Sequence, residues 1–330
     1  MDADDFLSDH YGLADFATRR CVVGVPARFD AAARQATTTA CKLGGFDDVR
    51  LIAEPEAAAL CYGAVRASDD GAESCVLVFD LGGGTFDASV VLLKARSANL
   101  IALGGDAKLG GDDFDAAIAE HLGDAFFSRH GVAVQAQSAR LRLLLEAERC
   151  KKTLSTQKEI SAKCKCLAKT DASGARSRTG ACVDLEEPLT RRALETLWRP
   201  LLKRLESETR RVCETAGVDL PDDAGAGARR KAPRRTLARI LLVGGSSRMP
   251  VIGRMLRRVT GLPLSKIAAN DAVHPDEAVA LGAAIFASML DADHGMRDDA
   301  APAFKLDRAP GLDAPRKRKK GPAADAPIQF

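Results

Sequence analysis

The chain contains 330 residues, of which 46% are hydrophobic and 28% are charged, and its formal net charge is +3. No stretch approaches the roughly eighteen apolar residues in a row that a membrane-spanning helix needs, so we expect no membrane partner. The five basic residues at 316–320, set against Asp313 and Asp325, account for the net charge. Because the remainder is neutral, we expect no direct contact with nucleic acid.

Short apolar runs alternate with helical patterns along the chain, which is typical of a mixed α/β protein. The predicted strands are 21–25, 49–53, 75–80, 85–94, 99–103, 159–167, 181–185 and 237–243. The predicted helices are 30–43, 55–62, 113–129, 139–154, 190–216, a segment ending at Arg258, and 275–290. Asp30 is a predicted N-cap and Gly44 a predicted C-terminal stop. Pro200 predicts a bend in the long helix 190–216.

The most informative segment is a glycine-rich hairpin between strands 75–80 and 85–94. Its candidate site residues are Asp80, Gly82, Gly83, Gly84, Thr85 and Asp87. Glycine allows the backbone to approach a ligand closely, and successive N–H groups form a concavity that binds anions. The Asp80 and Asp87 carboxylates are suited to a hydrated Mg²⁺, which takes one or two carboxylates and keeps waters. The alternative is an ordinary glycine-rich hairpin.

Two further segments carry polar groups that suit a nucleotide. After strand 237–243 comes a turn and a helix N-terminus, a geometry that suits a phosphate or a ribose. The candidate residues of this turn are Gly244, Gly245, Ser246 and Arg248. Helix 139–154 places four polar residues on one face by their spacing. They are Glu148, Lys151, Lys152 and Ser155. Taken alone, this quartet is typical of a solvated helix face.

The nine cysteines are scattered and form no C-x-x-C pair, so we predict reduced thiols and a cytoplasmic protein. Residues 315–320 resemble a nuclear localisation cluster, which would allow a nuclear location as well. The alternative for this cluster is a solvated basic tail. Residues 291–330 show no apolar periodicity and are predicted to be disordered.

Seven motifs in order resemble the nucleotide-binding domain of the seventy-kilodalton heat-shock chaperone family, within the actin-like ATPase superfamily. They are 23–29, 33–37, 51–59, the hairpin 79–87, 109–115, 244–250 and 274–284. The resemblance implies an actin-like, ribonuclease H-like α/β fold with an incomplete first lobe, a complete second lobe and a disordered tail. It divides the chain into a stub (1–20), a partial first lobe with the hairpin (21–106), a second lobe (107–236), a return to the first lobe (237–290) and the tail (291–330).

The resemblance also implies roles for the candidate residues with ATP or ADP and Mg²⁺. Gly82, Gly83, Gly84 and Thr85 would contact the phosphates, Asp80 and Asp87 would order the waters of Mg²⁺, and Glu54 would position the metal or the attacking water. The adenosine would be held by Glu148, Lys151, Lys152, Ser155, Gly244, Gly245, Ser246 and Arg248, with Asp276 nearby. The family usually has arginine at position 152, and an ammonium stacks on a base poorly, so we expect weaker adenine binding.

The family carries a second phosphate hairpin and a lysine in a segment before the position of Cys21, and residues 1–20 contain neither. Losing part of the charge neutralisation slows phosphoryl transfer, so we expect this chain on its own to hydrolyse ATP poorly or not at all. An incomplete reading of a longer gene is one alternative explanation for the missing segment. We expect an ATP-binding protein of the chaperone family, in which full-length relatives fold proteins. The alternatives are a non-hydrolysing module that engages exchange factors or J-domain co-chaperones, and a sugar-kinase-like enzyme.

Overall fold

The computed structural model describes residues 20–65, 73–94, 97–171, 173–175, 177, 179–221, 235–267 and 277–293. Helices and strands alternate over these ranges, as the sequence predicts. The strands are β1 (Arg20–Val25), β2 (Asp48–Ala53), β3 (Ser74–Leu81), β4 (Phe86–Lys94), β5 (Ser97–Asp106), β6 (Glu159–Thr170), β7 (Ala181–Thr190) and β8 (Leu237–Val243). The α-helices are α1 (Ala31–Leu43), α2 (Glu54–Val65), α3 (Gly111–His130), α4 (Gln137–Thr156), α5 (Arg191–Leu197), α6 (Arg199–Thr215), α7 (Pro250–Thr260) and α8 (Ala278–Asp293).

A four-stranded sheet in the order β5-β4-β3-β8 forms the centre of the described structure. Strands β3, β4 and β5 are antiparallel neighbours, whereas β8 lies parallel to β3. Strands β1 and β2 form a separate parallel pair, and β6 and β7 form an antiparallel hairpin. Strand β3 is buried over Cys75–Phe79 because it is covered on both faces.

In the largest core cluster, one face of the central sheet packs with side chains of α3, α4, α6 and α7. Phe79, Phe86, Phe114 and Phe126 are its largest fully buried side chains. The opposite face of the sheet packs against α2, with Ala58 and Ala59 in contact with the valines of β3 and β4. The large cluster contains residues from both sides of position 106, where the sequence suggests a lobe boundary, and the lobe division remains a prediction.

Helix α1 begins and ends where the sequence predicts. The Asp30 carboxylate accepts a hydrogen bond from the Ala33 N–H at 2.8 Å, which is the N-cap interaction. The Gly44 N–H donates to the Ala40 carbonyl at 3.0 Å and ends the helix.

The sequence predicts one long helix over 190–216 with a bend at Pro200, whereas the chain forms two separate helices that meet at Trp198, two residues earlier. Trp198 is the C-cap of α5 and the N-cap of α6, and Pro200 lies in the first turn of α6, where its missing N–H costs nothing. The indole is buried, donates from Nε1 to the Phe114 carbonyl at 3.1 Å and meets the Phe114 ring edge-on at 5.3 Å. The break therefore allows the indole to reach the core.

The prediction that all cysteines are reduced is also wrong for one pair. Cys166 and Cys182 form a disulfide between β6 and β7, with their Cα atoms 4.7 Å apart. The strand register shifts between Cys164 and Ala168, and Cys166 has a φ of 52° within this bulge. The pairing depends on the register of two strands and not on a local spacing, which is why the cysteine pattern did not indicate it. The other seven cysteines are free.

Three predictions fall on residues outside the described ranges: the stub up to residue 19, the tail from residue 294, which includes the basic cluster 315–320, and Asp276. None of the helices in the described ranges has the length and apolar character needed to cross a membrane.

Candidate functional site

The glycine hairpin is held rigidly by the strands that carry it. Strand β3 ends at Leu81 and β4 begins at Phe86, and the Gly82 N–H donates to the Thr85 carbonyl at 3.1 Å across the turn. Beneath the turn the rings of Phe79 and Phe86 are buried, with their centroids 4.7 Å apart. The exposed part of the turn therefore sits on a packed apolar base.

The carbonyl groups of the hairpin point toward helix α3. The carbonyls of Gly82 and Gly83 accept hydrogen bonds from the N–H groups of Gly111 and Asp112, at 2.9 and 2.8 Å. These are the first two residues of α3, whose N–H groups have no partner within the helix. Within the described part of the chain, the N–H groups of Gly83 and Gly84 have no hydrogen-bond acceptor. The turn thus presents two backbone donors at the surface.

Close backbone contacts bring three distant segments to this turn. A Cβ atom on Gly110 would lie 2.2 Å from the Gly83 carbonyl oxygen, and one on Gly111 would lie 2.2 Å from Ser246 Oγ. Gly244 has a φ of 78°, and a Cβ there would lie 2.7 Å from Asp80 Oδ1. Only glycine permits these approaches. The hairpin, the start of α3 and the turn after β8 therefore form one continuous surface.

Three carboxylates line a cleft of about 350 Å³, open solvent included, beside the hairpin: those of Glu54, Asp80 and Asp87. Asp80 and Asp87 are direct partners in the antiparallel register, and like charges in this arrangement repel each other. Burial raises the pKa of Glu54 and the Asp87 carboxylate raises it further. Burial also raises the pKa of Asp87, while the Arg28 guanidinium opposes the shift.

This donor set suits a hydrated divalent cation. Oxygen ligands are the type that Mg²⁺ prefers, and it usually keeps several waters and takes only one or two carboxylates. No cluster of three residues able to chelate a metal directly occurs among the described residues. Asp80 and Asp87 are the candidates to hold the metal through its waters, and Glu54 lies at the same cleft.

Sequence reasoning missed Arg28 as part of this cleft. Arg28 follows β1, and its Nε lies 2.9 Å from Asp87 Oδ1. The residue lies within one of the motifs that carry the family resemblance, but its partner is distant in the sequence. Only the tertiary fold brings these two residues together.

The polar quartet on α4 divides into a buried and an exposed part. Lys151 is buried, and its Nζ donates to Asp115 Oδ2 at 2.6 Å and to the Gly111 carbonyl at 2.9 Å. Burial raises the pKa of Asp115, although the Lys151 ammonium opposes the shift. Lys152 and Glu148 instead form an exposed ion pair of 2.7 Å. The solvated-face alternative is therefore wrong for Lys151, and Asp115 is a partner that the spacing rules did not indicate.

The end of α4 borders a second cleft of about 220 Å³, open solvent included, lined in part by Ser155, Trp198 and Met249. Ser155 Oγ donates to the Lys151 carbonyl at 3.0 Å. The Arg191 guanidinium donates to the carbonyls of residues 154, 155 and 157 and so caps the C-terminus of the helix. This second cleft lies between the end of α4 and the start of α7, where Met249 and Val251 line it.

The described structure therefore joins several of the predicted site residues through direct contacts. The hairpin residues 82–84 contact the start of α3, which in turn contacts Lys151 and Ser246. Thr85 and Gly245 are exposed at the turns that carry them, and Arg248 is half-buried.

A family model described as Hsp70 protein matches residues 13–301. The fold is accordingly the mixed α/β fold of an actin-like ATPase domain, and the chain belongs to the Hsp70 family.

Curated relatives support this membership. The chain is 34% identical over 290 residues to the chaperone protein DnaK of Halobacterium salinarum, 35% over 278 residues to that of Deinococcus proteolyticus and 37% over 272 residues to that of Thermus thermophilus. The matches cover 88%, 84% and 82% of this chain and 40% of each relative, so the chain spans about 40% of the length of these relatives. These comparisons give no support to a nuclear location.

Proposed function

We propose that this chain binds ATP or ADP together with Mg²⁺, in the cytoplasm, with the glycine hairpin as the phosphate site. The observation that carries the proposal is the orientation of the hairpin. The Gly82 and Gly83 carbonyls accept hydrogen bonds from α3, while Gly83 and Gly84 are exposed and their N–H groups have no acceptors among the described residues. Paired outward N–H dipoles favour an anion.

Each remaining group has a role in this proposal that follows from its position. Asp80 and Asp87 hold the waters of the metal, and Glu54 contributes negative charge beside it. Mg²⁺ held there would neutralise phosphate charge. Ser246 and Arg248 contribute to binding the adenosine from one side. Glu148, Lys152 and Ser155 contribute from α4, and Lys151 acts by fixing the position of α3 through Asp115. Asp276, outside the described residues, stays a prediction.

The proposal is tested with the variant Gly84→Ala. A Cβ on Gly84 would have no atom within 4 Å, so the methyl group fits the protein and adds bulk at the exposed turn that is proposed to hold the phosphates. We expect the affinity for Mg²⁺–ADP, measured by calorimetry on the full chain, to fall about tenfold or more. The matched control is Gly123→Ala in α3, where the added Cβ would lie 3.8 Å from Leu143 Cδ2.

Equal affinities in both variants and the original chain would contradict the phosphate role of the hairpin. Phosphate release in the presence of saturating ATP, measured in parallel, decides whether binding is accompanied by turnover. Binding without release favours the non-hydrolysing alternative.

ATP-dependent protein folding and the partners expected from the resemblance, exchange factors and J-domain co-chaperones, belong to the same proposal. One feature of α4 supports a partner surface. Leu141, Leu144 and Leu145 are exposed by 58, 42 and 58%, and their spacing of three and four residues places them on one helix face. Exposed apolar patches of this kind mark sites of protein–protein contact.

A further inference from the structure

Two contacts hold Arg28 beside the carboxylate cleft: an ion pair with Asp87 and a close contact with the backbone at Gly105. Its Nε lies 2.9 Å from Asp87 Oδ1, and both side chains are 37% exposed. A Cβ atom on Gly105 would lie 2.6 Å from Arg28 Nη2, so the guanidinium packs directly over the backbone of β5 at this glycine. Gly105 has a φ of 142°, a conformation that other residues rarely adopt. The Arg28 side chain therefore has a defined position beside the cleft.

The cleft needs positive charge to offset its carboxylates. Asp80 and Asp87 face each other across the strand pair, and Glu54 adds a third carboxylate to the same cleft. The Arg28 guanidinium supplies one positive charge and pairs with the Asp87 carboxylate. A hydrated divalent cation would be attracted to the same carboxylate and repelled by the guanidinium beside it.

We propose that Arg28 is a positioning residue that competes with the divalent cation for Asp87 and thereby sets the metal affinity of the site. In the absence of metal it neutralises Asp87, and metal binding has to weaken this ion pair. The inference rests on the proposed nucleotide site, since it assigns Asp87 to the metal. It adds a residue that limits how tightly the metal binds when no nucleotide is present.

The test measures Mn²⁺ alone, without nucleotide, by titration of the full chain and detection of free Mn²⁺ by electron paramagnetic resonance. We expect Arg28→Gln to tighten Mn²⁺ binding about fivefold, since exposed ion pairs contribute up to about 1 kcal/mol. Arg28→Lys keeps the charge and should bind Mn²⁺ about as the original chain does. The matched control is Arg50→Gln, which removes an exposed arginine whose Nε lies 3.1 Å from Asp48, away from the cleft.

A double-variant cycle ties the effect to Asp87. In the Asp87→Asn background, Arg28→Gln should change Mn²⁺ affinity by less than about twofold. Unchanged or weaker binding in Arg28→Gln would overturn the proposal, as would a fivefold gain that persists without the Asp87 carboxylate. Thermal unfolding of every variant shows which ones are folded.

Measuring Mn²⁺ binding and Mg²⁺–ADP binding separately distinguishes failure of this inference from failure of the proposed function. Calorimetry with Mg²⁺–ADP on the same samples tests nucleotide binding, and its failure leaves the Mn²⁺ result interpretable. A gain in Mn²⁺ affinity without nucleotide binding would support the competition at Asp87 and contradict the nucleotide proposal alone.

Discussion

Replacing Lys151 with alanine should destabilise the protein far more than the same change at its neighbour Lys152. Lys151 and Asp115 are 8% and 5% exposed, and Asp115 Oδ1 already lacks a hydrogen-bond partner among the described residues. Lys151→Ala leaves the Asp115 carboxylate buried without its cation and removes the hydrogen bond to the Gly111 carbonyl. Removing one partner of a buried pair costs about 3 to 5 kcal/mol.

The control residue differs from the tested one mainly in burial. The Lys152 side chain is 71% exposed and forms an ion pair with Glu148 on the surface, and such pairs contribute less than about 1 kcal/mol. The assay is urea unfolding followed by circular dichroism, in which the two free energies of unfolding are compared. The melting temperature should fall by about 10 °C for Lys151→Ala and by no more than a few degrees for Lys152→Ala.

A second variant separates the lost ion pair from lost packing. In Lys151→Met with Asp115→Leu, two apolar side chains replace the pair, and such replacements are often neutral. We expect most of the stability to return. Equal losses in Lys151→Ala and Lys152→Ala would refute the reasoning, because they would mean that burial of the pair has no energetic consequence.

Two further predictions concern Glu54 and the disulfide. Burial raises the pKa of Glu54 in the folded protein, so ionisation of this carboxyl group opposes folding. Glu54→Gln should therefore raise the stability at pH 7. Thermal unfolding across pH should show that this gain vanishes below about pH 4.3, the pKa of glutamate in the unfolded chain. An unchanged gain at pH 4 would contradict this. Cys182→Ser removes a cross-link between residues 16 apart in sequence and should lower stability by up to about 3 kcal/mol, with a reducing agent destabilising only the original chain. Alkylation of all nine cysteines in the unreduced, unfolded chain would show that no disulfide is present.

The fold could be predicted from the sequence to a considerable extent. The short apolar run Val76–Phe79 favours a buried strand, and the Asp30 cap acts through its own helix. These signals lie within a few residues of the structure that they predict. The helix break at Trp198 could not be predicted locally, because the hydrogen bond that Trp198 makes there joins it to Phe114, which is 84 positions away in the sequence.

The candidate site could be predicted where all of its functional residues lie within one short sequence motif. The glycines, the threonine and the two aspartates of the hairpin are contiguous, so their proximity follows from one turn. Arg28 and Asp115 could not be found in this way, since each partner lies on a different element. The same holds for Cys166 and Cys182, whose pairing depends on a bulge in β6.

The sequence by itself determined the order of strands and helices, the glycine turn and the family, because these depend on local patterns of apolar, small and charged residues. The tertiary structure decided which charges are buried together and which remain in water. Burial and pairing depend on how separate elements pack, and in this protein that packing moves Lys151 into the core while leaving Lys152, the next residue, in solvent.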